Sequence, residues 1–595
     1  MTGVLRTADQ PLHSEFRVSD APEYDLRSPT RWISSHVLRY PGLLLLFVFS
    51  TLMLVVFSAF LPRLTGSAFD AITQPDPQAA LFRIALLLLG AALLRGLFDL
   101  LNIVGIEFLA QRLERDARAE LAHSLLGKSQ AFHDRQRVGD VMARAANDVR
   151  QLNLMFSPGV QLILDSALSV IVPLVFIALI EPQLLLFPVL FVIGFVLSLK
   201  RYTERLDPVS TAMRESFGRL NAGLNETVTG IELVKAAAAE NREKRKFYRN
   251  AREFRDWFVR QGEVQARYLP YLLIGLTIAA TFAHGLWLLT RGVVSVGDVV
   301  AVVGLVGVLR GPADLSIFTF ALVQLGMAGA RRILELIRSD SELDENPAGH
   351  AGPITGSITF DDVLFTYPGA QSPTLTQLDF SIAPGETIAL VGQTGTGKST
   401  LTKLVNRTYD VTSGRILIDG IDVRDWSLAS LRSQISVIEQ EVFLFSRSIA
   451  DNIAFGLPGS TRQQVEAVAR AAQAHGFISA LPDGYDTVIG ERGMTLSGGQ
   501  RQRLAIARAL LTDPRILILD DATSAVDSAT EDEIQTAINT VLSGRTSLVI
   551  THRLSQIRRA DRILLLDGNR VADFGTHPEL LERSPIYQRI FQRFD

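Results

Sequence analysis

Six stretches in the first 325 residues are each long and apolar enough to cross a bilayer, which takes about twenty residues of helix. They run from Leu43 to Leu61, Leu81 to Ile106, Val160 to Ile180, Leu184 to Leu199, Tyr268 to Thr290 and Val299 to Leu325. The third and fourth are parted only by Glu181, Pro182 and Gln183, which predicts a tight external turn. Composition agrees, since 47% of the residues are hydrophobic and the mean hydropathy is +0.22, too apolar for an ordinary soluble chain. Part of the chain therefore lies in membrane.

Local charge predicts the orientation. Arg112, Arg115, Arg118, Lys128, Arg135, Arg137, Arg144 and Arg150 fall between the second and third stretches, and a second basic segment, Lys200 to Arg267, between the fourth and fifth. The links after the first, third and fifth stretches are short and nearly free of Lys and Arg. Positive residues stay in the cytoplasm, so both termini are expected inside. The polar, mixed-charge first thirty residues predict no removable signal peptide. A formal charge of −3 gives no reason to expect nucleic acid as a partner. Cys is absent, which excludes disulfides, thiolate metal sites and thiol catalysis.

The two basic segments have few Pro or Gly breakers and read as helical extensions of the spans into the cytoplasm. Their tips are expected at Gly139 to Asp148, with Asp140, and at Glu226 to Lys235, around Gly230, where they could touch a cytoplasmic domain. Asp25 to Tyr40 mixes Trp32, Ile33 and Val37 with Arg27, Arg31 and Arg39, as expected of a helix lying in the membrane interface. Within the spans fall Arg95, Asp99, Glu107, Asp165, His284, Arg310 and Asp314. Arg95 with Asp99, and Arg310 with Asp314, are four apart and are read as bundle-stabilising pairs rather than substrate contacts.

After a polar, Pro- and Gly-rich segment from Ser339 to Gly356, the pattern changes to short apolar strands and soluble helices. ETIALVG, 386 to 392, is a buried strand that enters GQTGTGKST, 392 to 400, and a helix comes next. A loop of this form wraps phosphates in backbone N–H groups, sends Lys398 to the β and γ oxygens and offers the Ser399 hydroxyl to Mg²⁺. RILILDD, 515 to 521, is a second buried strand ending in two carboxylates, and the alternation predicts a parallel α/β core. LSGGQ, 496 to 500, places Ser497, Gly498 and Gly499 at the start of a helix, whose free N–H groups can bind the γ phosphate of a nucleotide held elsewhere. One chain supplies two unlike halves of a nucleotide site.

These motifs, in this order, resemble those of the ATP-binding cassette exporters of the half-transporter type, and the match covers nearly everything after residue 25. The resemblance implies a membrane all-α six-helix domain of the type I exporter fold fused to an α/β P-loop NTPase cassette. The corresponding divisions are a tail and interfacial helix at 1–42, the membrane domain at 43–336, a linker at 337–354 and the cassette at 355–595. It implies ATP contacts from Gly392, Thr394, Gly395, Thr396, Gly397, Lys398, Ser399 and Thr400, with Tyr367 stacking on adenine. Leu496, Ser497, Gly498, Gly499 and Gln500 would contact ATP held by the facing cassette. Mg²⁺ would be held by Ser399, Gln440 and Asp520, and Gln440 would also reach the attacking water. His552 matches the histidine that senses γ phosphate, Asp527 lies in a dimer-contact loop, and Glu491 falls in a segment typical of exporters. The two tip sequences resemble the family's coupling helices.

One position departs from the pattern. Active cassettes carry Glu after the Mg²⁺ carboxylate, and here that residue is Asp521. Asp is shorter by about 1.5 Å, and a base must come within roughly 2.6 to 3.2 Å of the proton it takes. ATP binding is expected to survive and hydrolysis at this site to be slow. That predicts a subunit of a heterodimeric exporter whose intact signature completes the partner's active site. A slow homodimer and an ATP-gated channel or regulatory subunit remain alternatives. The expected setting is the cytoplasmic membrane, crossed several times, with both termini and the cassette cytoplasmic. The expected partners are membrane lipids, a second half-transporter and a hydrophobic or amphiphilic cargo such as a drug, lipid or peptide.

Overall fold

The computed structural model describes residues 14–16, 22–73, 77–268, 270–490, 493, 496–520 and 528–591, with backbone only at 271, 313–318, 320, 528–533 and 591. The chain forms two compact units. One comprises Pro22–Ala122 and Met142–Ile337; the other takes in the described part of Met1–Ala21 together with His123–Val141 and Arg338–Asp595.

The first unit is helical. Among the described residues, five helical stretches meet the length and apolarity of a membrane span: Pro41–Ile72, Pro77–Leu126, Val138–Ile180, which is kinked at Ser157, Pro182–Thr229 and Leu272–Thr290. The sixth apolar segment forms two helices, Val296–Val308 and Arg310–Arg338. Pro312 accounts for the break, because its ring excludes a standard helical bond to the carbonyl of Val308, four residues earlier. Hydroxyl groups on the spans donate to carbonyls one turn back, as Ser58 does to Leu54, Ser67 to Arg63 and Thr277 to Leu273. They therefore bring few unsatisfied groups into an apolar medium. Helices Pro41–Ile72 and Val296–Val308 meet backbone to backbone, since a Cβ added to Gly66 would collide with the Gly297 carbonyl oxygen. Ahead of the first span, Ser28 caps the helix Pro29–Leu38, and the Trp32 indole donates to Glu120 at 2.8 Å.

The intramembrane charges arrange differently from their spacing. Among the described residues no ion pair joins Arg95 to Asp99, and both residues are exposed. Glu107 accepts from Ser157 at 2.9 Å. The Asp314 side chain lies outside the described residues.

The second unit carries two sheets. Its strands are β1 (Ile358–Phe365), β2 (Leu375–Ile382), β3 (Thr387–Gly392), β4 (Ser413–Ile418), β5 (Ile421–Asp422), β6 (Ile435–Ile438), β7 (Ile516–Asp520), β8 (Thr546–Ile550), β9 (Arg562–Asp567) and β10 (Arg570–Gly575). The smaller sheet, in order β2-β1-β4-β5, is antiparallel. The larger has order β10-β9-β3-β8-β7-β6, with β9, β3, β8, β7 and β6 parallel. Its central strands are nearly continuous apolar runs buried on both faces, as parallel strands between helices must be. Two main cores result. Phe360, Phe365, Ile388, Leu390, Leu401 and Leu404 build one between the sheets and the helix Lys398–Val405. Ile438, Leu519, Ile506, Ala507 and Ile538 belong to the other, around the helix Gly498–Leu511.

Candidate functional site

Strand register brings the first half of the site together. Leu390 on β3 and Asp520 on β7 both pair level with Ile550 on β8, and Ile438 on β6 pairs with Leu519. All four strands run the same way, so the phosphate loop, Gln440, His552 and the Asp520 carboxylate all emerge at one carboxyl edge. Ligands of open α/β sheets bind at that edge. Gln440 and His552 are exposed there and Asp520 is half-buried. Asp521, Asp527 and Glu491 lie outside the described residues.

The loop has a conformation that only its glycines permit. Gly395 and Gly397 sit at φ +87° and +92°, and a Cβ on Gly397 would come 2.5 Å from Leu375. The helix Lys398–Val405 begins at once, so its free N–H groups face the loop. The buried Lys398 ammonium donates to the carbonyls of Gly392 and Gln393, both at 2.9 Å, which holds a positive charge within the ring of the loop. Thr396 closes the turn by donating to the Gln393 carbonyl at 2.9 Å, while Thr394 and Ser399 are exposed. Backbone donors, a lysine and a free hydroxyl together form a donor set that fits a polyphosphate. The half-buried Tyr367 shares a 3.0 Å hydrogen bond with Thr400 and meets Phe365 and Tyr409 edge to face. An aromatic ring thus stands directly beside the loop.

The second half is built on the other core. Ser497 caps the helix Gly498–Leu511 through a capping box in which its hydroxyl accepts from the Gln500 N–H at 3.2 Å and Gln500 Oε1 accepts from the Ser497 N–H at 2.9 Å. The N–H groups of Gly498 and Gly499 are left for an outside acceptor. Leu496 is buried and anchors the turn, whereas Ser497 is exposed. The loop and the signature therefore belong to separate parts of one cassette, each presenting donors outward.

The expected tips divide between the two units. Gly139 and Asp140 belong to the cassette-bearing unit, in the helix Val138–Ala143. Asp148 belongs to the membrane unit, where it accepts from Arg332 at 2.6 and 2.8 Å. A contact on the cassette comes earlier, from the helix Gln130–Arg135. Ala131 enters the first cassette core, the Tyr409 hydroxyl donates to Asp134, and Arg135 pairs with Glu342 at 3.0 Å. Burial, then the bond to Asp134, raises the Tyr409 pKa above the usual phenol range. QAFHDR has too few apolar residues to reveal this contact by periodicity. At the second tip Gly230 ends the helix Leu186–Thr229, and Ile231–Ala236 forms a short helix. Lys235 pairs with Glu240 and Glu226 with Lys246, while Val228, Ile231 and Leu233 remain exposed.

Each unit also holds a cavity. In the membrane unit, one of about 1010 Å³ is walled by residues including Ile163, Val170, Val192 and Phe195, with Lys200 and Arg214 also in its lining. In the cassette, a groove of about 390 Å³ lies among Val437, Glu439, Phe443, Phe455 and Arg508. The Arg508 guanidinium, whose pKa burial lowers, donates to the Asn452 carbonyl at 2.9 Å beneath it.

Comparison with known proteins agrees with this architecture. Residues 42–313 match the ABC transporter transmembrane region and residues 375–524 the ABC transporter domain. The ATP-dependent lipid A-core flippase of Aromatoleum aromaticum is 35% identical over 96% of this chain and 97% of its own. The uncharacterized ABC transporter ATP-binding protein YknU of Bacillus subtilis is 36% identical over 80% of this chain and 82% of its own. The structure of a bacterial Atm1-family ABC exporter with ATP bound superposes with a TM-score of 0.78 at 31% identity, covering 93% of this chain and 98% of that one. The chain belongs to the ABC transporter family: it is an ATP-binding membrane protein of the exporter half-transporter type, with a helical transmembrane domain fused to a P-loop cassette.

Proposed function

We propose that the chain is one subunit of a heterodimeric exporter in the cytoplasmic membrane, driven by ATP bound between its cassette and that of a second half-transporter. The carrying observation is that Ser497 stands exposed at the head of a helix rooted in one core while the phosphate loop is rooted in another. Each group of donors is half of a cradle, and a facing cassette supplies the other half. The apolar exposure of Val228, Ile231 and Leu233 on a tip otherwise covered by charge supports the same reading, since such groups mark a contact surface. The cassette groove beside Phe443 and Phe455, which joins those rings to Glu439 and Arg508, is where such a tip of the companion subunit would sit.

In this reading the loop N–H groups and the Lys398 ammonium bind the phosphate oxygens and Tyr367 supports the base. Ser399, Gln440 and Asp520 would hold Mg²⁺, which supplies positive charge against the β and γ phosphates. At position 521 the sequence carries Asp, shorter than the Glu that polarises water in active cassettes, and a shortfall of even 1 Å costs roughly a hundredfold in rate. His552, exposed at the same edge, senses the γ phosphate. Ser497 and the N–H groups behind it close over the partner's nucleotide, so this chain completes the faster site. Closure drives the tips and moves the membrane helices from an inward-facing to an outward-facing state.

The cargo in this proposal is an amphiphile. The large cavity combines apolar walls with Lys200 and Arg214, and relatives named as lipid A-core flippases handle amphiphilic lipid. The test is ATP-dependent accumulation of a fluorescent amphiphile in inverted vesicles containing this chain and its companion. Accumulation against a gradient that stops with Lys398→Ala supports the proposal; passive equilibration gated by ATP points to a channel.

A further inference from the structure

A short piece of the N-terminal tail is built into the cassette. The Glu15 N–H donates to the Gly127 carbonyl at 2.8 Å, the Ser14 hydroxyl reaches the same carbonyl at 3.2 Å, and the Glu345 N–H donates to the Ser14 carbonyl at 2.9 Å. Glu345 in turn accepts from the Leu428 N–H at 3.1 Å, the first residue of the helix Leu428–Ser433. At the other end of that helix Arg432 donates to the Glu15 carboxylate at 2.7 Å. The tail is thus tied to one end of that helix directly, by the ion pair across 417 residues of sequence, and to the other end only through Glu345.

Arg432 links the tail to the nucleotide site. Its remaining donors reach the carbonyls of Arg407 at 2.8 Å and Asn406 at 3.3 Å, and Asn406 is the C-cap of the phosphate-loop helix Lys398–Val405. A guanidinium there satisfies carbonyls that the helix cannot and complements its negative end. Eight residues make a helix of about 12 Å, so whatever fixes its rear also sets where its N-terminus meets phosphate. The Glu15 side chain, 12% exposed, neutralises and orients that guanidinium. Gly127 comes directly after the helix Pro77–Leu126, and a Cβ there would collide with Ser14 Oγ and lie 2.7 Å from the Phe16 carbonyl oxygen. Only glycine lets the tail approach.

We propose that the tail, through Glu15, is a staple that holds the phosphate-loop helix in its nucleotide-binding pose and ties that pose to the segment emerging from the second span. Glu15 is a positioning residue, acting through Arg432. The staple is independent of the cargo and of the companion's identity.

The test uses the full chain in its native complex, with half-saturation of 8-azido-ATP labelling of this polypeptide measured in the cold for Glu15→Gln, Gly127→Ala and the double variant. Either single change is expected to raise the half-saturating concentration about three- to tenfold, the scale of one charge-assisted contact, with maximal labelling kept. Because both act by releasing the same tail, the double variant should be no worse than the more affected single one. An unchanged half-saturation in Glu15→Gln overturns the staple. So does a loss of maximal labelling without a shift, which marks a packing role, or multiplying effects in the double variant. Should Gly127→Ala fail to accumulate, the half-saturation of Glu15→Gln decides alone.

Discussion

Replacing Ser497 by Ala separates two roles of one hydroxyl. Within its own chain the Ser497 oxygen accepts from the Gln500 N–H at 3.2 Å. Losing such a cap costs about 1 kcal/mol, and the vacated N–H is close enough to solvent for water to serve it. The helix survives, because Leu504, Ile506 and Ala507 remain packed in the second core. For a cassette of this size that cost lowers the melting temperature by only about 2–4 °C. If the hydroxyl also donates to the γ phosphate on the facing cassette, a further bond to a charged group is lost, worth about 1.5–3 kcal/mol. That corresponds to a fall of roughly ten- to a hundredfold in ATPase rate. The two readouts are thermal unfolding of the purified complex and steady-state hydrolysis in proteoliposomes, with Ser497→Thr as the control that keeps both roles. A rate within twofold of the parent, with the melting temperature lowered as expected, refutes the trans contact and leaves Ser497 as a cap alone.

Other expectations are equally direct. Asp521→Glu should raise the turnover of this chain's own site if reach is the defect, and an unchanged rate in the purified pair contradicts that. Lys398→Ala removes the ammonium that spans the Gly392 and Gln393 carbonyls and should weaken nucleotide photolabelling of this chain at least tenfold; labelling at parental concentrations would count against the loop assignment. Burial draws the Lys128 pKa from 10.5 down to about 8, with the nearby Asp340 opposing the shift. Between those two values the unfolded chain binds more protons than the folded one, so the contribution of Lys128 to stability rises with pH across that window and is flat below it. Thermal melts of the parent against Lys128→Met should therefore diverge in the parent's favour from pH 8 to 10, and parallel curves would refute the assignment.

Much of this architecture was legible because its signals are local. The phosphate loop needs a strand before it and a helix after it, and GETIALVGQTGTGKSTL carries both in one short run. The capping box at Ser497 and Gln500 is written into the signature itself. Failures of reading came where distant segments meet. Four-residue spacing suggested Arg95 with Asp99, but among the described residues no ion pair joins them and both are exposed. Apolarity alone did not show that the span read from Val299 to Leu325 is interrupted at Leu309, ahead of Pro312. The contacts of Gln130–Arg135 with Tyr409 and of Glu15 with Arg432 join residues 275 and 417 apart. No periodicity or motif announces them, because a single polar pair is indistinguishable in sequence from a solvated surface.

The central claim is that one copy of this chain cannot enclose a triphosphate and needs a facing cassette. Native mass measurement of the transport-active particle, extracted from its own membrane, tests it most directly. The expected particle holds this 65.3 kDa polypeptide with one other ATP-binding cassette chain of different sequence, one that carries Glu at the position of Asp521. Two identical copies would keep the shared cradle and remove the heterodimer, whereas a lone 65.3 kDa chain that pumps cargo would contradict the account at its root.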